Sequence, residues 1–200
     1  MRSWEAERVG RTVGRSAQDT RRALLDAAAA VVRAKGIHAS LDDIAQHAGV
    51  SKGGLLYHFA SKDELVLALA EDHLRAFRDS VRAHLDADDD QPGRMTRAYI
   101  RALLSNPADE VSVRDAIMLI GQLMTIPAVA ELARADSADL YAQLDADGLP
   151  EHLLMLVITS ADGVSTAPLW GVAGLEDRYR DLERRLVELT LRPDLWDGLI

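Results

Sequence analysis

Cysteine is absent from the 200-residue sequence, which excludes disulfide bonds, thiolate metal sites and cysteine nucleophiles. Six histidines remain as strong nitrogen ligands, but they follow no metal-binding spacing, so we expect no metal and no other cofactor. Aromatic residues are few, with two phenylalanines, three tryptophans and four tyrosines. This small aromatic surface favours an aliphatic or otherwise apolar effector of modest size.

Long apolar runs are also missing. Asp162 and other polar side chains interrupt the most apolar stretch, residues 151 to 170, so we expect no membrane span. The charged N-terminus lacks the apolar segment of a signal peptide, which indicates a cytoplasmic protein. The G-x-S-x-G, H-E-x-x-H, P-loop and dinucleotide-binding patterns are absent. An all-helical enzyme is therefore a weaker alternative, which catalytic turnover would support.

The net charge of -9 is distributed unevenly along the chain. Residues 1 to 60 contain nine Lys and Arg against six Asp and Glu, a balance of +3, whereas residues 61 to 200 contain 14 against 26, a balance of -12. Phosphate would attract the first part and repel the second. This asymmetry would orient the molecule on DNA.

Residues 40 to 64 contain two short helical patterns, a glycine turn between them, and the start of a third helix. The first helix has one apolar stripe, formed by Leu41, Ile44, Ala45 and Ala48. Ser40 is a natural N-cap, Gly49 can adopt a left-handed conformation, and Ser51 can cap the next helix. That helix, residues 52 to 59, is predicted to bury Leu55, Leu56 and Phe59. Its other side would remain free, as a recognition helix requires.

The third helix is predicted to start at a capping box formed by Ser61 and Glu64 and to continue to about Leu85. Lys62 would lie beside exposed backbone amides, where it can hold a DNA phosphate, although a solvated surface lysine is the ordinary alternative. Residues 20 to 66 resemble the DNA-binding domain of TetR-family transcriptional regulators. The resemblance is carried by a leading helix ending in Lys-Gly, by LDDIAQHAGVSKGGLLYHF and by SKDEL.

The resemblance implies an all-α fold with an N-terminal three-helix helix-turn-helix domain and a C-terminal helical domain for ligand binding and dimerisation. It implies a homodimer that binds double-stranded operator DNA at a palindromic site, most often as a repressor, and releases it when a small molecule binds. By position, Lys52, Gly53, Tyr57, His58 and Lys62 match places that commonly meet DNA in the family. The predicted DNA contacts also include Ser40, Ser51 and Gly54. A helical DNA-binding protein that acts by assembly alone is the alternative.

We expect three parts: a basic N-terminal arm (residues 1–18), the helix-turn-helix domain (19–65) and the ligand-binding and dimerisation domain (66–200). Arg2, Arg8, Arg11 and Arg15 would let the arm follow a DNA groove, but a disordered tail is favoured because termini are commonly unordered. The acidic stretch 86–93 reads as a surface linker.

Further helices are expected at residues 93–104, 111–126, 127–144, 151–170 and 175–191. The second of these should be central, because most of its circumference is apolar, and the third should be shorter.

The candidate effector residues are Phe77, Tyr99, Leu103, Met118, Gln122, Met155, Thr159, Asp162 and Trp170, with plain core positions as the alternative. A heptad seam of Leu175, Tyr179, Leu182, Leu186 and Leu189 is either a dimer interface or packing inside one chain.

Overall fold

The computed structural model describes residues 16–104, 110–170, 176–192 and 194–197, and this part of the chain is all-helical, as predicted. The helices are α1 Ala17–Lys35, α2 Leu41–Ala48, α3 Lys52–His58, α4 Lys62–Ala83, α5 Arg94–Leu104, α6 Glu110–Leu123, α7 Pro127–Asp145, α8 Glu151–Ser165, α9 Glu176–Leu191 and α10 Asp194–Asp197. A 3-10 helix, Ala167–Trp170, follows α8.

Helix α1 begins at Ala17, two residues before the predicted start of the helix-turn-helix domain at residue 19. The Ser16 hydroxyl accepts a hydrogen bond from the Asp19 backbone N–H at 3.0 Å, and the Asp19 carboxylate accepts one from the Ser16 N–H at 3.1 Å. This reciprocal cap fixes the helix start at Ala17. The four arginines of the predicted arm lie outside the described residues.

The helix-turn-helix head, α1 to α3 with the first turns of α4, has one apolar core. Its largest fully buried side chains are Leu24, Ile44, Leu55, Phe59, Leu65 and Leu69. Leu119 and Leu123 from α6 and Val129 from α7 belong to the same core. The head is therefore packed directly against α6 and α7, and the boundary predicted at residue 65 falls inside α4.

Two expectations for α6 and α7 are wrong. Helix α6 is not central, because only one side of it, with Leu119 and Leu123, packs on the head, while Met118 and Ile120 are exposed. Helix α7 has 19 residues against 14 in α6, so it is the longer of the two. No single described helix is long and apolar enough to cross a membrane. Residues 113–123 and 127–145 have the necessary length and apolar composition only when taken together, and the chain bends by 116° between them.

Helix α5 occupies the centre of the C-terminal domain. One core contains α5 residues together with side chains of α4, α7 and α8, and a second joins α5 to α8 and α9. Helix α8 ends at Ser165, before the end predicted at residue 170, because the following residues form the 3-10 helix.

A buried arginine that the sequence analysis missed connects α5 to the acidic stretch 86–93. Arg97 is 1% exposed and donates from Nε and Nη2 to both carboxylate oxygens of Asp89, at 2.7 and 2.6 Å. Its Nη1 also donates to the Pro92 carbonyl at 2.8 Å and to Thr190 Oγ1 at 3.2 Å. Hydrogen bonding from Arg97 lowers the pKa of Asp89. The predicted linker is thus anchored to α5.

Candidate DNA interface and effector site

Local hydrogen bonds fix the starts of α2 and α3. The Ser40 hydroxyl accepts from the Asp43 N–H at 3.1 Å, and the Ser51 hydroxyl accepts from the Gly54 N–H at 3.0 Å. Between the two helices, Gly49 adopts the predicted left-handed conformation, with φ 70° and ψ 30°. Ser40 and Ser51 are therefore both N-caps, and their hydroxyl groups lie at the helix starts on the outside of the head.

Helix α3 buries a narrower stripe than the sequence analysis expected. Leu55 and Phe59 are fully buried, but Leu56 is 40% exposed, so its predicted burial is wrong. Leu56 lies about 100° around the helix axis from the buried Leu55, so it projects to the side of α3 and not into the core. Tyr57 is 83% exposed, and its ring meets the half-buried His58 ring edge to face at 5.3 Å. An apolar residue and a phenol therefore project from α3.

The cation at the start of α3 has an acidic neighbour that the sequence analysis did not identify. Lys52 Nζ forms a salt bridge of 2.8 Å with Asp42 in the first turn of α2. Both side chains are more than half exposed, so the pair contributes little to stability and can open for a phosphate. Nearby, hydrogen bonding from Lys35 and Ser40 lowers the pKa of Asp43.

The geometry of the isolated chain leaves room for a side chain at Gly53 and little room for one at Gly54. Neither has a positive φ. A Cβ on Gly53 would come no closer than 4.0 Å to a neighbouring atom, and one on Gly54 would lie 3.3 Å from Ser51 Oγ. Each glycine nevertheless costs a helix about 1 kcal/mol relative to alanine. A close approach by DNA would account for both residues.

The start of α4 differs slightly from the predicted capping box. The Ser61 hydroxyl accepts from the Glu64 N–H at 3.1 Å, but the Glu64 carboxylate accepts from the Ala60 N–H, one residue before the expected donor. Lys62 is half-buried and donates to the Ile37 carbonyl oxygen at 2.5 Å. The predicted phosphate-binding lysine therefore also joins α4 to the loop before α2.

Three of the nine candidate effector residues meet at one place. Phe77 of α4 and Tyr99 of α5 form an edge-to-face pair with ring centroids 5.8 Å apart. The Tyr99 hydroxyl donates to the Asp162 carboxylate of α8 at 2.5 Å. Tyr141 of α7, absent from the predicted set, donates to the other carboxylate oxygen at 3.2 Å. Burial and the Asp162 charge raise the pKa of Tyr99, and the same two causes raise that of Tyr141.

The other candidates lie elsewhere. Met118 and Gln122 line a surface cavity of about 420 Å³ between α1 and α6, together with Arg33 and Arg114. Met155 and Thr159 are on the exposed face of α8, and Leu103 packs between the two cores of the C-terminal domain. The side chain of Trp170 lies outside the described residues.

The heptad seam on α9 packs largely inside its own chain. Leu186 is buried, and the half-buried Leu182 and Leu189 pack with it against α5 and α8. Tyr179 is half-buried, and Leu175 lies outside the described residues. The seam thus contributes to the core, which was the alternative to a dimer interface.

Family comparisons agree with this architecture. Residues 24–69 match the family "Bacterial regulatory proteins, tetR family", and residues 93–191 match "Tetracyclin repressor-like, C-terminal domain". The HTH-type transcriptional regulator BetI of Cronobacter sakazakii is 31% identical over 185 residues, which cover 88% of this chain and 90% of BetI. The HTH-type transcriptional activator FasR of Mycolicibacterium smegmatis is 42% identical over 87 residues, 42% of this chain and 39% of FasR.

Solved structures share the fold. The multidrug binding protein EbrR, complexed with malachite green, superposes with a TM-score of 0.63 and 27% identity over 83% of this chain and 96% of EbrR. A transcriptional regulator from Rhodococcus sp. RHA1 gives a TM-score of 0.64 and 25% identity over 85% of this chain and 93% of its own. The chain therefore belongs to the TetR family, and it is a DNA-binding transcriptional regulator rather than an enzyme.

Proposed function

We propose that the protein is a repressor that binds a palindromic operator as a homodimer and releases it when a small molecule binds the C-terminal domain. The surface of α3 carries this proposal, because Tyr57 is 83% exposed and Lys52, at the start of the same helix, is also exposed. The net positive charge of residues 1 to 60 and the net negative charge of residues 61 to 200 favour approach to phosphate from the N-terminal part of the chain. The proposed DNA contacts are Ser40, Ser51, Lys52, Gly53, Gly54, Tyr57, His58 and Lys62.

The outward face of α8 supports the dimer. Met155 is 56% exposed, and Thr159 and Gly163 follow it at four-residue steps on the same exposed stripe. The Thr159 hydroxyl donates to the Met155 carbonyl at 2.6 Å, so covering it would leave no unpaired donor. A Cβ on Gly163 would meet no atom within 4 Å, which leaves room for a partner helix. Two heads in such a dimer would reach major-groove sites about 34 Å apart.

A selection of bound duplexes from a random library tests the DNA function. The proposal predicts recovery of an inverted repeat that binds the protein in gel-shift titrations at physiological salt. Failure to enrich any sequence would overturn it. Malachite green, the ligand of EbrR, is a first effector to add to the complex. Operator binding that stays unchanged by malachite green and by a wider compound library would favour regulation by assembly alone.

A further inference from the structure

We infer that the effector carries a cationic group, which binds at Asp162 beside Tyr99 and Tyr141. This inference rests on the proposed response to a small molecule and adds the chemistry of that molecule. It changes the expectation of a purely apolar effector, because these residues place one negative charge among aromatic rings.

The Asp162 carboxylate has acceptor capacity that the protein does not use. Tyr99 and Tyr141 each donate one hydrogen bond to it, at 2.5 and 3.2 Å, whereas an ionised carboxylate has about four lone-pair sites. Among the described residues, no Lys or Arg forms a salt bridge with Asp162. The carboxylate therefore has hydrogen-bond donors but no counter-ion in this part of the chain.

Two tyrosines contact this carboxylate and a phenylalanine packs on one of them, although the chain has few aromatic residues. Phe77, Tyr99 and Tyr141 are three of only nine aromatic residues, counting Phe, Trp and Tyr. Aromatic faces attract cations, and alkylated ammonium groups also gain from contact with apolar rings. Because their pKa values are raised, both phenols remain neutral hydrogen-bond donors near neutral pH, and Asp162 supplies the charge.

The cluster is open on one side. Tyr141 is 40% exposed and Asp162 is half-buried, whereas Tyr99 is buried beneath them. A ligand that enters between α7 and α8 would meet the carboxylate first. An anionic ligand would be repelled there, and a wholly apolar one would remove the carboxylate from water without replacing its hydration. A cation is the ligand class that compensates for this burial.

Two probes of the same shape test the inference on the full chain. Isothermal titration calorimetry compares phenyltrimethylammonium with tert-butylbenzene, which has a neutral carbon in place of the charged nitrogen. We expect at least tenfold tighter binding of the cation. Asp162→Asn keeps an oxygen that can accept from the tyrosines, and it should lose at least tenfold in affinity for the cation only. Asp139→Asn is the control, since it removes an equal charge from an exposed position on α7.

Equal affinity for the two probes, or binding of neither, would overturn the inference. An equal loss in both variants would also overturn it, because the attraction would then belong to the acidic domain as a whole. If Asp162→Asn does not fold, equal affinity of the wild-type protein for the two probes still overturns the inference. None of these outcomes affects recovery of an operator from random duplexes, so failure of the inference is distinct from failure of the proposed function.

Discussion

The Lys62 ammonium donates a hydrogen bond to the backbone carbonyl of Ile37, 2.5 Å away. The bond joins the first turn of α4 to the loop between α1 and α2, and so helps to hold α4 against these two helices. An ammonium has three N–H donors, so this contact leaves two for a phosphate. One residue can therefore position the head and contact DNA.

Replacing Lys62 should show both roles. We expect Lys62→Ala to lower the free energy of unfolding by about 1 kcal/mol, the usual net value of one hydrogen bond. The slope of log affinity against log salt should become shallower by about 1, since one phosphate contact is lost. Urea titrations and operator binding at several salt concentrations measure the two effects. A loss of stability with an unchanged slope would restrict Lys62 to the Ile37 contact.

Replacing Gly53 with alanine should stabilise the protein and weaken its binding to DNA. Gly53→Ala should raise the free energy of unfolding by up to about 1 kcal/mol, because alanine favours helix and a Cβ fits there. It should also weaken operator binding, since the methyl group would occupy the space proposed for DNA. Gly121→Ala on α6, where a Cβ meets nothing within 4 Å, is the matched control and should stabilise without changing affinity. Equal affinities for both variants would remove the close-approach explanation.

The Arg97–Asp89 pair should make stability depend on acid pH. Because Arg97 lowers the pKa of folded Asp89, the stabilisation is complete above the unfolded pKa of about 3.9 and is lost as the pH falls through the lower folded value. Asp89→Asn lacks this titration. The stability difference between wild type and variant, measured by urea unfolding, should therefore shrink as the pH falls from about 5 to about 2. A constant difference across that range would show that Asp89 does not respond to Arg97 in this way.

The proposed dimer face on α8 can be tested with one charge. Thr159→Arg places a cation in the middle of the exposed stripe, so we expect monomers in sedimentation velocity at concentrations where the wild type is dimeric. Ser137→Arg adds the same side chain to an exposed position on α7 and should leave the dimer intact. If Thr159→Arg remains dimeric, the interface lies elsewhere.

Features set by neighbouring residues were predicted well. Two such features are the helix caps at Ser40, Ser51 and Ser61 and the left-handed conformation of Gly49. They depend on residues within four positions, so the local sequence is enough to predict them. The family resemblance supplied what local patterns do not contain, namely the division into an N-terminal DNA-binding domain and a C-terminal helical domain. Local patterns together with one resemblance were enough for the all-α fold and the DNA-binding function.

Features that depend on tertiary packing were not predicted. Asp162 meets Tyr99 and Tyr141 across 63 and 21 residues of sequence, and Tyr141 had no pattern to distinguish it. Arg97 is buried because it bonds to the turn at residues 86–93, whereas the acidic sequence of that turn predicts a solvent-exposed linker. The apolar composition of α6 predicted a central helix, and this was wrong because composition does not show which sides of a helix have neighbours. The exposure of Leu56 was missed for the same reason.

If α3 reads DNA, the Tyr57→Ala variant should bind the selected operator more weakly than the wild type at physiological salt. Tyr57 is 83% exposed, so its removal should leave the melting temperature unchanged. We predict at least a tenfold loss of operator affinity, equivalent to about 1.4 kcal/mol. Wild-type affinity in a variant with an unchanged melting temperature would contradict the assignment of α3 as the recognition helix.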